Sequence, residues 1–75
     1  QKAAKAFREV QESQAALQTA QELAGLRREA EKRAAEPPAL MAAARARALA
    51  EIEAVKAELA YRQAYVQLMS LIGRH

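Results

Sequence analysis

The chain has no cysteine and no tryptophan, and little phenylalanine, histidine, tyrosine, glycine or proline. Without cysteine there are no disulfides and no thiolate metal sites, and the redox compartment is left undetermined. Scarce glycine and proline leave little turn punctuation for β structure. No run approaches ~18 consecutive apolar residues, so no transmembrane helix is expected, and no signal peptide is visible. The formal charge is +3, with acids interleaved among the bases. That balance is too weak for a nucleic-acid footprint, which needs a clustered basic face. The sole histidine, His75, is the last residue, where an ordered functional role is not expected. The carboxylates are spaced as solvated helix faces, and Glu51 and Glu53, two apart, do not face each other. There is no Gly-rich phosphate loop and no metal-ligand cluster. We therefore expect no enzyme activity, no cofactor and no nucleic-acid partner.

What the chain does have is alanine, at roughly a quarter of its 75 residues, with Glu, Lys, Leu and Arg making up much of the rest. This is the composition of long helices and coiled coils. Seventy-five residues make one small domain or part of a larger one, and a core this small is marginal alone. The chain opens on Gln1 rather than Met, so we expect it to be a fragment of something longer.

One stretch obliges a helix to stop: Glu36-Pro37-Pro38. Proline lacks an N–H, clashes with the preceding turn and pushes the residue before it out of the α region. Glu36 and Pro37 both precede a proline, whereas Pro38 suits the first position of a new helix. The expected fold class is all-α. Residues 1–75 form a single antiparallel coiled-coil hairpin, with one helix over 2–35, a turn over 36–38 and a second helix over 38–73.

In the first helix Ala3, Phe7, Val10, Leu17, Ala20, Leu23 or Ala24, Ala30 and Ala34 follow steps of three and four, with Gln14 interrupting. Lys5–Glu9, Arg8–Glu12 and Glu29–Arg33 are i,i+4 pairs for its outer surface. Gly25 costs about 1 kcal/mol against alanine and reads as a close-approach point or a weak spot. The second helix carries two apolar stripes. One runs Met41, Ala44, Ala48, Ile52, Val55, Leu59, Val66, Met69; the other runs Ala50, Ala54, Ala57, Tyr61, Ala64, Leu68, Leu71. One stripe suffices for a hairpin, and two predict neighbours on more than one side. Phe7, Val10, Leu17, Ile52, Val55, Leu59, Val66 and Met69 are the expected helix-packing residues. Arg47–Glu51 and Glu58–Arg62 are i,i+4 pairs on the remaining face, and Gly73 is the expected C-terminal cap.

Each helix should be ~50 Å long. Small side chains let the axes approach to about 8 Å but bury little apolar area, at about 25 cal/mol per Å². The hairpin is therefore expected to self-associate or join a larger bundle, most simply as a dimeric four-helix bundle. Arg27, Arg28, Lys32, Arg33, Arg45 and Arg47 gather toward the tip. Positive charge suits the end of the first helix, whereas Arg45 and Arg47 lie near the start of the second, where it is mildly unfavourable. Tyr61 and Tyr65, four apart, share a helix face with their hydroxyls at its boundary.

The run from Ala57 to Gly73, with Ala43, Ala50 and Ala57 at seven-residue steps, Tyr61 on an aromatic segment, and Leu68, Leu71 and Gly73 as a leucine-rich close, resembles the end of a repeat in the TolC-like outer-membrane efflux family. The resemblance covers the second helix well; the first shares mainly its alanine-rich character. It implies a trimeric parent channel with a β-barrel in the outer membrane and a helical tunnel in the periplasm. This chain would be a periplasmic hairpin of that tunnel, with no membrane insertion of its own and with its tip presented to a periplasmic adaptor protein. Arg33, Glu36, Pro37, Pro38, Leu40 and Arg45 are the tip residues expected to meet that partner. In an ungapped alignment the family's turn glycine falls on Arg33 and its aspartate on Ala39, while Leu40-Met41 and Ala43 keep the apolar anchor. Ion gating at the tip is therefore not carried over. The alternative is a generic alanine-rich hairpin for oligomerisation or protein interaction.

Overall fold

A computed structural model describes residues 2–73; His75 lies outside them. Two helices account for nearly all of that length: α1 over Lys2–Arg33 and α2 over Pro37–Leu71. They pack against each other along their length as an antiparallel hairpin measuring 54 × 15 × 14 Å. At 1.5 Å per residue, helices of 32 and 35 residues should span about 48 and 53 Å. The measured length therefore corresponds to straight helices side by side. The radius of gyration is 16.7 Å, against about 11 Å for a compact domain of this size. The chain is a rod.

The reversal lies earlier than the sequence suggests. α1 ends at Arg33 rather than near residue 35, and the amide of Ala34 closes it with bonds to the carbonyls of Ala30 and Glu31, both 3.2 Å. Ala34, Ala35 and Glu36 make the turn. Glu36 sits at φ −94°, ψ 144°, the extended geometry that a following proline favours. Pro37 departs from expectation, opening α2 as its first residue instead of belonging to the turn. The first turn of a helix tolerates proline because its amides have no intrahelical acceptor. With Pro37 and Pro38 as the first two positions, two of those donors do not exist. The first α2 bond then runs from the Leu40 amide to the Glu36 carbonyl at 2.7 Å. At the far end Ile72 caps α2 and Gly73 follows at φ 77°, the left-handed geometry that a glycine just past a helix adopts without strain.

The seam is built from small residues. Ala6, Val10 and Ala24 of α1 are buried against α2, and Ala50, Ala64 and Leu68 of α2 against α1. The largest apolar contact lies at the open end. There Ala6, Val10, Ala64 and Leu68 cluster, with Tyr61 and Met69 packed at the edge. Ser13 falls on the seam of α1 and is half-buried. Its hydroxyl donates back to the carbonyls of Glu9 at 2.7 Å and Val10 at 3.1 Å, so no polar group is stranded.

Of the residues expected to pack, Val10 is buried, Leu17 half-buried and Met69 at the edge. Phe7, Ile52, Val55, Leu59 and Val66 instead face outward in the hairpin, Leu59 at 52% and Val66 at 65% exposure. It is the alanine stripe of α2 that meets α1. The reason is steric and electrostatic together: alanines let the axes close, and the same rotation of α2 brings Arg47 and Glu51 to acidic and basic partners on α1.

Candidate interaction surfaces

The first surface is the seam near the tip, which a chain of charges closes. Arg47 of α2 donates from Nε to Glu31 of α1, and from Nη1 to Glu51 at 2.9 Å. Glu51 accepts in turn from Arg28 Nη1 of α1 at 3.3 Å. The result is Glu31–Arg47–Glu51–Arg28, two residues from each helix and alternating in sign. The hydrogen bond from Arg47 to Glu31, then the Glu31 charge and the Glu51 hydrogen bond, hold the Arg47 guanidinium above its ordinary pKa. The i,i+4 pair Arg47–Glu51 was legible in sequence. Its two cross-helix links were not, because they depend on the rotation of α2 against α1.

This clamp changes how the basic cluster reads. Arg28 and Arg47 are committed to it, and Lys32 lies 3.4 Å from Glu29, the acid expected to pair with Arg33. Arg27, Arg33 and Arg45 make no ion pair among the described residues. Arg47, an apparent misfit near the start of α2, is accounted for by Glu31. Elsewhere Glu58 and Arg62 pair as expected, whereas Lys5–Glu9 and Arg8–Glu12 do not close among the described residues.

The second surface is the tip. Arg33, Glu36, Pro37, Pro38, Leu40 and Arg45 are all exposed around the reversal. Glu36 makes no side-chain cap. Leu40 and Met41 add exposed apolar surface, Met41 at 67%. The tip thus presents a tight reversal, an apolar pair, and guanidinium groups unpaired among the described residues.

The third surface is the back of α2. Ala48, Ile52, Val55, Leu59 and Val66 lie about 170° around the helix from the alanine seam, at 100° per residue. Two shallow grooves flank them, one among Ala48, Glu51, Ile52, Val55 and Lys56, the other among Arg62, Gln63, Val66, Gln67 and Ser70. The tyrosines separate across this rotation: Tyr61 packs on the core cluster and Tyr65 is exposed, with ring centroids 6.2 Å apart and planes tilted by 46°. The back of α1 is different in kind. Arg8, Glu12, Thr19, Glu22 and Arg33, with Ala15 and Leu26 among them, line its exposed side.

No three His, Cys, Asp or Glu side chains gather where they could hold a metal ion among the described residues, and no described helix is long and apolar enough to cross a membrane. Gly25 shows no close approach: a Cβ there would meet only the end of the Arg28 side chain, at 3.9 Å. Compared with known proteins, the chain matches no family model, no curated protein and no solved structure.

Proposed function

We propose that the chain is a hairpin of the periplasmic tunnel wall of an outer-membrane efflux channel, trimeric in its parent, whose tip meets a pump adaptor protein. One observation carries this reading: α2 has packing faces on two opposite sides, one filled by α1 and one open. A wall helix needs a neighbour on each side, and a helix of a free hairpin needs only one. The sequence resemblance supports the same reading, since Ala50 and Ala57 of its seven-residue alanine steps lie on the seam, one buried and one half-buried. The test is the parent chain. A cleaved leader, ~10-residue strands of alternating polarity outside this segment, and loss of export when Leu40 and Met41 are both replaced by Asp support the channel. A parent with neither leader nor such strands removes it.

A second reading, a self-associating hairpin module, is favoured by the back of α1. That face is polar, whereas a continuous wall would require both helices to offer an outer packing face. Under this reading the open stripe of α2 is covered by another copy of the same chain.

A further inference from the structure

The open face of α2 carries a register as well as a stripe. Arg45, Ile52, Leu59 and Val66 stand seven apart, and Met41, Ala48, Val55, Arg62 and Met69 interleave with them at steps of three and four. This is a heptad seam sustained over about four repeats, and its 3.5-residue period dictates a left-handed supercoil with a partner helix. The partner must offer an apolar stripe of similar length. On this chain the back of α1 cannot, because Arg8, Glu12, Glu22 and Arg33 occupy it. The surface on this chain that matches the stripe is the stripe itself.

Charge then selects the arrangement. A parallel pair stacks Arg45 on Arg45 and Arg62 on Arg62 at the seam. An antiparallel pair centred between Glu53 and Ala54 sets Arg45 against Arg62 and Glu51 against Glu58. Centred near Ala57, it sets Lys56 against Lys56 and Glu58 against Glu58. Centred between Ala60 and Tyr61, the Arg45, Lys56 and Glu58 conflicts vanish, and the two Arg62 side chains stand about 4.5 Å apart along the axis, each with its own Glu58 beside it. Val55 then meets Val66, Ile52 meets Met69, Leu59 meets the stem of Arg62, Lys56 faces Gln63 and Glu58 faces Tyr65. In this register Val66 of each copy seats over the groove at Ile52 and Val55 of the other. Arg62 keeps its own partner, since Glu58 holds it within one helix.

We propose that two copies of this chain pair back to back through α2, antiparallel, on a two-fold axis between Ala60 and Tyr61, giving a four-helix row α1–α2–α2–α1 with the two tips pointing in opposite directions. The proposal rests on the self-association reading and adds to it the face, the direction and the register. The shared seam covers residues 50–71, about 33 Å. Each tip overhangs, so the assembly is about 75 Å long against 54 Å for one hairpin.

The chain has no cysteine, so introduced cysteines report alone. Sedimentation should give twice the 8.2 kDa chain mass, and Leu59→Glu should weaken the dimer about a hundredfold (about 2.8 kcal/mol) while leaving helicity intact. Thr19→Glu, on the back of α1, should change nothing. A mixture of Val55→Cys and Val66→Cys chains should oxidise to the mixed disulfide, and neither variant should cross-link to itself. A monomer at high concentration overturns both the proposal and the self-association reading. A dimer that survives Leu59→Glu, or in which Val66→Cys links to itself, overturns the proposal and leaves that reading standing.

Discussion

Three residues show how little side-chain chemistry holds this hairpin and where it is concentrated. Arg47 ties the two helices together near the tip, reaching Glu31 on one side and Glu51 on the other. Arg47→Ala should lower the melting temperature more than Arg45→Ala, which breaks no pair, with thermal circular dichroism as the measurement. Because the Arg47 pKa is raised, its contribution is fully present below its ordinary value and is lost only as pH rises through the higher folded value. The Arg47→Ala deficit should therefore be constant between about pH 7 and 9. It should shrink in 1 M salt, where charges screen over about 3 Å. Gly25 sits in mid-helix with room for a Cβ. Gly25→Ala should stabilise the hairpin by about 0.5–1 kcal/mol, a rise of several degrees for a chain this small. Gly73 is the opposite case, since its φ of 77° makes glycine the residue that fits.

At the scale of elements the decisive parts are the turn and the two faces of α2. The position of the turn was legible, because consecutive prolines leave few alternatives. Its boundaries were not: Pro37 joined α2, since the first helical turn has no use for the amide that proline lacks. The prolines also defend the hairpin against opening. A continuous helix through the turn would carry Pro37 and Pro38 in its interior at ~3 kcal/mol or more each. Replacing both with Ala removes that barrier. The double variant should populate a domain-swapped form containing a helix of about 105 Å, seen as a longer maximum dimension in small-angle scattering. Retention of the 54 Å rod would show that the clamp and core suffice to hold the reversal.

For the whole molecule, the balance between a thin seam and an open apolar face governs behaviour. The buried set is mostly alanine, with Val10 and Leu68 as its largest members. At about 25 cal/mol per Å² such side chains contribute little each. Ile52, Val55, Leu59 and Val66 would contribute more, and in the single hairpin they meet water. A molecule arranged this way gains more by finding a neighbour than by repacking itself. The channel wall and the back-to-back pair are two ways of supplying that neighbour, and they differ in what lies against α2.

The sequence by itself determined that this chain is a helical hairpin, through its alanine-rich composition, its three-and-four spacing and one double-proline stop. It also determined that α2 carries two apolar faces and α1 one thin face. Which face of α2 meets α1 was decided only in the tertiary structure. Both stripes satisfy helical periodicity, and periodicity carries no information about rotation relative to a second helix. Close approach of the alanines, with Glu31 and Arg28 placed to meet Arg47 and Glu51, settled that rotation and left the larger side chains outside.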